Sequence, residues 1–323
     1  MSGRSGSVLL PLQFVALSLA WGSSFLFMKV ALDGLSPLQV VTARMALGAL
    51  ALAVIAAVLR IPMPRSARAW GHIGVVSVFL CVLPFSLFAW AGQHIDSGLS
   101  SIYNATTPLM TLLVTLVALR AERPRRGQLL GLGVGLAGVF VVLSPWRLAG
   151  DAATGGAGAQ LACLVATASY GIAFVYLRRF VSPLGLPSVA VATVQVGVGA
   201  AVLIVAVPVL DGHPAVPTPA VVASTVGLGV FATGLAYIWN TNIVAGWGAA
   251  VASSVTYLSP VIGVALGALV LGEALTWNQP VGAAIVVAGI VVSRRRPRRH
   301  PLAGPSPRRP GVASARPPAG ERG

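Results

Sequence analysis

Long apolar stretches separated by short polar turns run through almost the whole sequence. Each stretch is about 20 residues long, which at about 1.5 Å of helical rise per residue matches the hydrocarbon core of a bilayer. The turns carry Gly, Pro, Asp or Arg, residues that end helices or avoid hydrocarbon. The pattern predicts ten membrane-spanning helices, near residues 9–31, 37–59, 70–92, 98–119, 127–144, 159–178, 187–209, 219–241, 248–271 and 278–293.

The composition of the chain argues against a water-soluble fold. Of the 323 residues, 56% are hydrophobic and only 9% are charged. Soluble domains carry roughly 25% charged residues, and a water-soluble fold could not bury this much apolar surface. We therefore predict an all-α membrane protein whose immediate partner is the lipid bilayer.

Basic residues give the chain a net charge of +15, and they lie in short loops and in a C-terminal tail. Because they do not cover one folded face, we predict no nucleic-acid partner. Cytoplasmic loops retain Lys and Arg. Arg147 is an exception, but the other basic sites share one side of a ten-span topology: Arg4, residues 60–68, residues 120–126, Arg178, Arg179 and the tail. This distribution predicts a multi-pass protein of the cell membrane with both termini in the cytoplasm.

The two halves of the sequence match each other. Trp21 aligns with Tyr170 at an offset of 149 residues, and Pro108 aligns with Pro260 at an offset of 152. Such self-similarity indicates a duplicated unit. The longest run of matches, at an offset of 151 residues, pairs Glu122, Gln128, Gly131 and Gly138 with Glu273, Gln279, Gly282 and Gly289.

An odd number of helices in each copy makes the second copy enter the membrane upside down, as in many secondary transporters. The loop charges agree, because residues 120–126 are basic whereas the counterpart at 272–279 has no Lys or Arg. We therefore predict two inverted five-helix repeats. The predicted segments are a cytoplasmic N-terminus (1–8), the first repeat (9–145), a linker (146–158), the second repeat (159–293) and a disordered, basic, Pro-rich cytoplasmic tail (294–323).

Three segments make the sequence similar to a known family. WGSSFLFMKVALDGLSPLQVVTARM (21–45), NATTPLMTLLVTLVALRAERP (104–124) and SSVTYLSPVIGVALGALVLGEALTWNQPVGAAIVVAGI (253–290) resemble the EamA-type transporters of the drug/metabolite transporter superfamily. The similar region covers nearly everything from residue 10 to residue 293. The resemblance implies ten helices in inverted repeats around a central cavity, and an activity that mostly exports amino acids, other metabolites or drugs.

Arg44 is the sharpest candidate for a functional residue. It lies seven residues after Pro37, roughly 10 Å into the second predicted span. A charge at that depth is costly and is functional by default. It could bind a substrate carboxylate through its fixed fork of donors, or it could pair with helix carbonyls and stabilise the bundle. Alignment within the family gives Gln195 as its counterpart, so a charge-based site would be asymmetric.

Pro108 and Pro260 lie within the fourth and ninth predicted spans. Each lacks an N–H group and frees the carbonyl four residues earlier, at Asn104 and Thr256. In hydrocarbon this carbonyl needs another donor, so the prolines are candidate hinges beside a cavity. The alternative is a tolerated kink satisfied by a neighbouring Ser or Thr side chain.

Polar and aromatic side chains at helical spacing suggest a cavity wall. Trp21, Ser24 and Met28 share one face of the first span, and Tyr103 shares a face of the fourth span with Thr107. Such side chains suit an apolar or aromatic solute, although helix packing is the alternative for each. With Arg44 and Gln195, the predicted substrate-binding residues are Trp21, Ser24, Met28, Tyr103, Asn104, Thr107, Tyr170 and Tyr257.

Other polar residues have simpler interpretations. Lys29 lies one helical turn before Asp33, and we expect the two to pair near the outer end of the first span. Cys81 and Cys163 lie inside predicted spans without metal-binding spacing, so no metal site is expected. The glycines between Gly131 and Gly138 indicate close helix packing, because a dinucleotide site would need a soluble βαβ unit.

These observations favour a secondary transporter that exports a small-molecule substrate and needs no cofactor. No Walker-type motif is present, so a solute or proton gradient would supply energy. Because the acidic residues lie in loops, in the tail or at span ends, substrate-driven exchange or uniport is favoured over proton coupling. The alternatives are a non-transporting scaffold or signalling protein and, less favoured, an intramembrane lipid-modifying enzyme. Substrate identity and oligomeric state do not follow from the sequence.

Overall fold

The computed structural model describes residues 5–118, 126–144, 156–247 and 255–294. Residues 295–323 of the predicted tail, most of the predicted linker and the basic loop that contains Glu122 lie outside the described residues. All regular secondary structure in the four described ranges is helical. The predicted class of an all-α protein is confirmed.

The described helices follow the predicted spans closely. They are α1 (Ser5–Ala31), α2 (Pro37–Val58), α3 (Ala67–Ser77), α4 (Leu83–Ala91), α5 (Ser97–Asn104), α6 (Thr107–Ala118), α7 (Arg126–Leu143), α8 (Gly156–Tyr176), α9 (Ser188–Leu210), α10 (Pro219–Val226), α11 (Ala236–Trp247), α12 (Val255–Leu271) and α13 (Asn278–Arg294). Three π-helical segments interrupt or extend them: π1 (Val78–Val82) between α3 and α4, π2 (Leu177–Val181) after α8, and π3 (Gly227–Leu235) between α10 and α11.

Seven of the described helical segments are long and apolar enough to cross a membrane: residues 9–31, 37–58, 67–91, 126–143, 156–184, 188–210 and 219–243. Shorter apolar helices lie at 258–271 and 278–292. Large apolar side chains point outward, with Val209 86% exposed and Leu269 83% exposed, as expected for surfaces that contact lipid. The multi-pass class is therefore confirmed, and the number of ten spans stays a prediction.

The start of α2 sets the depth of Arg44. The Ser36 side chain accepts a hydrogen bond from the Gln39 backbone N–H, and the Gln39 side chain accepts one from the Ser36 N–H. This capping box satisfies two N–H groups that the helix cannot satisfy itself. Pro37 occupies the first helical position, where its missing N–H is not needed. Arg44 consequently lies about two turns into the helix.

The predicted fourth span is broken between α5 and α6. Residues 105 and 106 form a turn, and Pro108 is the second residue of α6, where the absence of an N–H group costs little. The Thr107 hydroxyl donates a 2.7 Å hydrogen bond to the Asn104 carbonyl, which the break leaves without a helical partner. Pro108 therefore lies at a break in the predicted span, and the neighbouring Thr107 satisfies the freed carbonyl, which is the second of the two alternatives given above. A helix tolerates proline in its first turn better than in its interior.

Pro260 behaves differently from its sequence counterpart. It lies inside α12, which continues through it. The Ser259 hydroxyl donates a 3.2 Å hydrogen bond to the Val255 carbonyl, one turn earlier. The two prolines therefore have unequal effects on the backbone, a broken helix in one half and an uninterrupted helix in the other.

Glycines bring α7 and α13 into backbone contact. A Cβ atom at Gly138 would lie 2.6 Å from the Val286 nitrogen and 2.9 Å from the Gly282 carbonyl oxygen. A Cβ atom at Gly289 would lie 2.4 Å from the Gly135 nitrogen and 2.7 Å from the Gly131 carbonyl oxygen. Distances this short exclude any side chain, so the glycine-rich motif serves helix packing.

Candidate functional site

Arg44 lies in the interior of the bundle and is only 7% exposed. Its Nε atom donates a 3.1 Å hydrogen bond to the Thr233 hydroxyl on π3. Its guanidinium carbon lies 3.9 Å from the centroid of the Phe85 ring on α4, a cation–π distance. Three helical segments that are distant in sequence thus converge on one buried cation.

Gln195, the predicted counterpart of Arg44, belongs to the same polar cluster. It is 2% exposed, and its amide nitrogen lies 3.1 Å from both the Cys81 sulfur and the Tyr237 hydroxyl. The main-chain carbonyl of Gln195 accepts a 2.6 Å hydrogen bond from the Ser77 hydroxyl. Cys81 and Tyr237 also lie close enough to Arg44 to interact with it electrostatically. The structure therefore brings the two sequence-predicted residues together through shared neighbours.

Both contacts fall on π-helical segments. Thr233, the partner of Arg44, lies on π3, and Cys81, the partner of Gln195, lies on π1. A π-helical turn inserts an extra residue into an α-helix and is frequent at functional sites. The extra residue changes which side chains face the neighbouring helix, so both segments help to aim their polar groups at the cluster.

Aromatic rings extend the cluster from Arg44 toward α1. Tyr170 on α8 is an electrostatic neighbour of Arg44 and lies 6.3 Å from Phe88, centroid to centroid, with the rings inclined by 27°. Phe88 in turn meets Phe25 edge to face at 5.3 Å. Among the predicted aromatic residues whose side chains the structure describes, Tyr170 therefore accompanies both Arg44 and an apolar ring surface.

A second polar network joins the broken span to α8. The fully buried Tyr103 donates a 2.7 Å hydrogen bond to the Gln160 side chain, and the Thr106 hydroxyl lies 3.2 Å from that of Thr167. Asn104 and Thr107 are partly buried and bond to each other through the Asn104 carbonyl. These predicted residues lie together at the helix break, and no direct hydrogen bond among the described residues joins them to Arg44.

The remaining predicted residues do not form a single wall. Trp21 packs beside Leu17 and Ala20 in a separate apolar cluster with α11, whereas Met28 belongs to the main core. The Ser24 hydroxyl donates to the Trp21 carbonyl of its own helix at 2.8 Å. The Tyr257 side chain lies outside the described residues. Helical spacing on α1 therefore does not by itself place these side chains around Arg44.

Sequence reasoning missed several residues of these networks, and four of them matter most: Phe85, Thr233, Tyr237 and Gln160. All four are aromatic or polar side chains within otherwise apolar segments. A polar residue in such a segment is a weak signal that could have selected Thr233 and Gln160. The aromatic residues had no comparable signal, because rings are common on lipid-facing surfaces.

Polar contacts join several helices at the end of the bundle that contains Lys29 and Glu273. The Lys29 ammonium donates to the carbonyls of Gly92 at 2.7 Å and Ile95 at 3.1 Å, and not to Asp33 as predicted, because these carbonyls are within reach. The Glu273 carboxylate accepts hydrogen bonds from the Ser97 and Gly98 N–H groups, at 2.7 and 3.0 Å. It therefore caps the start of α5 from the other half of the chain.

An open groove lies apart from this cluster. It has a volume of about 780 Å³ and runs between α2, α3 and α9, with Arg60 and Trp70 among its lining residues. The lining is otherwise mostly small and apolar, including Ala49 and Gly197, and it contains none of the predicted site residues. The buried cation, and not this groove, is the chemically distinctive feature of the bundle.

Comparison with known families identifies the class of protein. The chain matches the EamA-like transporter family twice, over residues 10–144 and 157–295. With its apolar helices, it is a membrane transporter by class. The chain belongs to the EamA-like transporter family.

Individual relatives share only about a quarter of their residues with this chain. The chain is 26% identical over 295 residues to the uncharacterized inner membrane transporter YedA of Escherichia coli K12, covering 88% of this chain and 90% of YedA. It is 28% identical over 279 residues to a probable terminal-alkyne amino-acid exporter of Streptantibioticus cattleyicolor, covering 85% and 90% of the two chains. One crystal structure matches with a TM-score of 0.62 at 19% identity, covering 88% of this chain and 97% of that chain, a likeness that concerns the fold alone.

Proposed function

We propose that this protein is a secondary transporter that exports small metabolites, namely amino acids, related organic solutes or drugs, by alternating access. The observation that carries the proposal is the buried Arg44 guanidinium, which has no carboxylate partner among the described residues. Burying an unpaired charge costs several kcal/mol. A protein retains such a group where its charge has a use, and a solute that passes through the bundle supplies the missing partner.

The proposed architecture has ten spans in two inverted repeats. Its main support is the reciprocity of the α7–α13 contact. The offset of 151 makes Gly131 equivalent to Gly282, and Gly138 equivalent to Gly289. In space Gly138 meets Gly282, and Gly289 meets Gly131, so exchanging each residue for its equivalent converts one contact into the other. Such contacts characterise a twofold axis.

The direction of these helices indicates where that axis lies. Contacts run from Gly131 with Gly289 to Gly138 with Gly282, so α7 and α13 are antiparallel. A twofold axis that relates two antiparallel helices is perpendicular to them. If both helices cross the bilayer, the axis lies in the membrane plane and the second copy is inverted.

The cluster around Arg44 has the same reciprocity. A Cβ atom at Gly48 on α2 would approach Thr233 on π3 at 2.8 Å, and a Cβ atom at Gly199 on α9 would approach Val82 on π1 at 3.0 Å. The offset of 151 residues relates one pair to the other, because Gly48 corresponds to Gly199 and Val82 corresponds to Thr233. The proposed midplane site therefore lies where the two repeats cross, as in other transporters with inverted repeats.

The outer contacts would form one gate of the alternating-access cycle. Lys29 and Glu273 connect α1, the start of α5 and the turn after α12. We propose that these contacts break when the site opens outward, with the α5–α6 break at Pro108 and the Pro260 region as hinges. The Glu273→Gln variant should open this gate more often, because a neutral amide accepts weaker hydrogen bonds. Labelling of a cysteine introduced at Ser101 should become faster than in the parent protein, and unchanged labelling would contradict the gate.

The name of one relative supports the proposed substrate class. The relative from Streptantibioticus cattleyicolor is named as a probable amino-acid exporter, which supports export of an amino acid or a similar solute. Arg44, Gln195 and Tyr170 would contact the solute directly. Tyr103, Asn104 and Thr107 would line its path beside the helix break, while Trp21, Ser24, Met28 and Tyr257 are weaker candidates.

The direct test compares a strain that overproduces the protein with a deletion strain across toxic metabolites and analogues. We expect overproduction to give resistance to at least one solute, and purified protein in proteoliposomes to move that solute. An Arg44→Ala variant should lose both effects. Transport that resists Arg44→Ala completely, or a screen without any solute-dependent difference, would favour the scaffold alternative.

Coupling has a separate test. We propose substrate-driven exchange or uniport, because no Asp or Glu occurs within the described helices. Uptake should then be the same with and without an imposed pH gradient. Clear acceleration by the gradient would show that protons are partners in transport.

A further inference from the structure

We infer that the solute bound at Arg44 is an organic monoanion, a carboxylate with an apolar or aromatic body and without a free ammonium group. This inference rests on the proposed transport function and narrows its substrate class. It excludes zwitterionic amino acids as the preferred solutes. The balance of charges and hydrogen-bond donors around Arg44 supports this assignment.

The first step concerns charge. The described helices contain no Asp or Glu, and the described acids lie between helices, at Asp33, Asp96, Asp211 and Glu273. A cationic group beside Arg44 would therefore find no carboxylate and would be repelled by the guanidinium. An anion would be attracted, and attraction between charges is strongest where water is excluded.

The second step concerns hydrogen bonds. The Tyr237 hydroxyl accepts from Gln195, and among the described residues its own proton faces the Cys81 sulfur, a weak acceptor that a carboxylate oxygen would outcompete. The Tyr170 hydroxyl is another electrostatic neighbour of Arg44. Only the Nε of Arg44 has a hydrogen-bond partner among the described residues, which leaves its terminal nitrogens as donors. The surroundings therefore offer donors, which a carboxylate satisfies and an ammonium does not.

The third step concerns the body of the solute. Phe85 covers one face of the guanidinium, and Phe88 with Tyr170 forms an aromatic surface that continues toward Phe25. Such a surface favours an apolar or aromatic group next to the carboxylate. A zwitterion would place its ammonium one bond from the carbon that carries the carboxylate. There Arg44 repels it, and the rings offer it a cation–π contact but no carboxylate.

The test uses three probes that share a phenylethyl body and differ in charge: hydrocinnamate, phenylalanine and phenethylamine. We expect hydrocinnamate to raise the melting temperature of the purified protein, and to enter proteoliposomes, at concentrations roughly tenfold lower than phenylalanine. Phenethylamine should have no effect. A second set with a branched aliphatic body, isocaproate, leucine and isoamylamine, checks that the preference follows charge and not the ring.

Two variants, one within α2 and one just beyond its end, separate the site charge from the overall charge. Arg44→Gln should abolish the preference for the anion, since Gln is also the residue at the equivalent position 195. Arg60→Gln removes an exposed arginine just beyond the end of α2 and should keep the wild-type preference. An anion preference that survives Arg44→Gln would overturn the inference.

The outcomes distinguish the inference from the proposed function. If phenylalanine or leucine is moved as well as its carboxylate analogue or better, the protein is a transporter and the monoanion inference is wrong. If an amine is preferred, the inference is also wrong. If none of the six probes binds or moves, the monoanion inference fails, and the resistance screen then decides the transport function independently.

Discussion

Two helix crossings near Arg44 share a backbone arrangement and differ in chemistry. At one crossing α2 meets π3, and Arg44 bonds to Thr233. At the other α9 meets π1, and Gln195 bonds to Cys81. The chain has duplicated a close contact between a helix and a π-helical segment, while only one copy carries a charge.

This difference separates what packing requires from what a solute requires. The glycine contacts are matched in both halves because two backbones must approach closely wherever the same crossing occurs. The charge is unmatched, and a second buried cation would add repulsion and a further desolvation cost. Matched packing would let the protein adopt similar inward-open and outward-open conformations, and the single charge would serve the solute in both.

Breaking the matched packing should have the largest effect on folding stability. Gly138→Ala and Gly289→Ala each place a Cβ atom within 2.6 Å of a backbone nitrogen on the facing helix. We expect both to destabilise the protein by similar amounts, about 1–3 kcal/mol. Gly133 on α7 has no atom within 4 Å of an added Cβ, so Gly133→Ala serves as the control. Thermal unfolding in detergent measures all three; a large difference between the first two would contradict the twofold relation.

Removing the unmatched charge should affect transport and not folding. We expect Arg44→Gln to reduce transport by roughly 100-fold, because truncating one partner of a buried charge pair costs about 2–5 kcal/mol. Its melting temperature should stay equal or rise, since an unpaired buried charge disappears. Gln195→Ala should reduce transport by at most about tenfold, the loss of one neutral hydrogen bond. A marked fall in melting temperature for Arg44→Gln would indicate a structural role for the arginine.

Changing the partners of these two residues should have smaller, unequal effects. Thr233→Val removes a hydrogen bond to a charged group, which is worth about 1.5–3 kcal/mol, and should weaken solute binding by about tenfold. Cys81→Ala removes only a weak acceptor and should change binding by less than about threefold. Solute concentrations at half-maximal transport give both values. Equal effects would mean that the two crossings contribute alike to the site.

The smallest expected effect concerns two acids outside the helices. Burial, followed by the charge of Glu273, raises the pKa of Asp96, whereas hydrogen bonds, first from Ser36 and then from His213, lower the pKa of Asp211. Asp96 therefore reduces stability as pH rises above its ordinary pKa, and Asp211 adds stability that is lost as pH falls below its ordinary pKa.

Neutral variants test these opposite signs. Near neutral pH, Asp96→Asn should raise the melting temperature slightly and Asp211→Asn should lower it slightly, each by less than about 1 kcal/mol in stability. Melting temperatures measured between acidic and neutral pH should show the differences shrink as both acids become protonated. Shifts of the same sign for both variants would contradict the assigned environments.

The sequence by itself determined the membrane class, the helix positions, the duplication and the burial of Arg44. These properties depend on local signals: apolar length, glycine and proline at particular positions, and one charge inside an apolar run. Ser36, Gln39 and Pro37 similarly specify the start of α2 within four residues of each other. Such signals need no knowledge of the neighbouring helices.

Only the tertiary structure decided which residues surround Arg44. Thr233 is 189 residues away in the chain, and helices that are apolar on all sides carry no amphipathic stripe to show which face turns inward. Lys29 likewise bonds to carbonyls on another segment instead of Asp33 on its own. The π-helical segments and the crossing angles of the helices set these partners, because they rotate side chains relative to neighbours that no local pattern specifies.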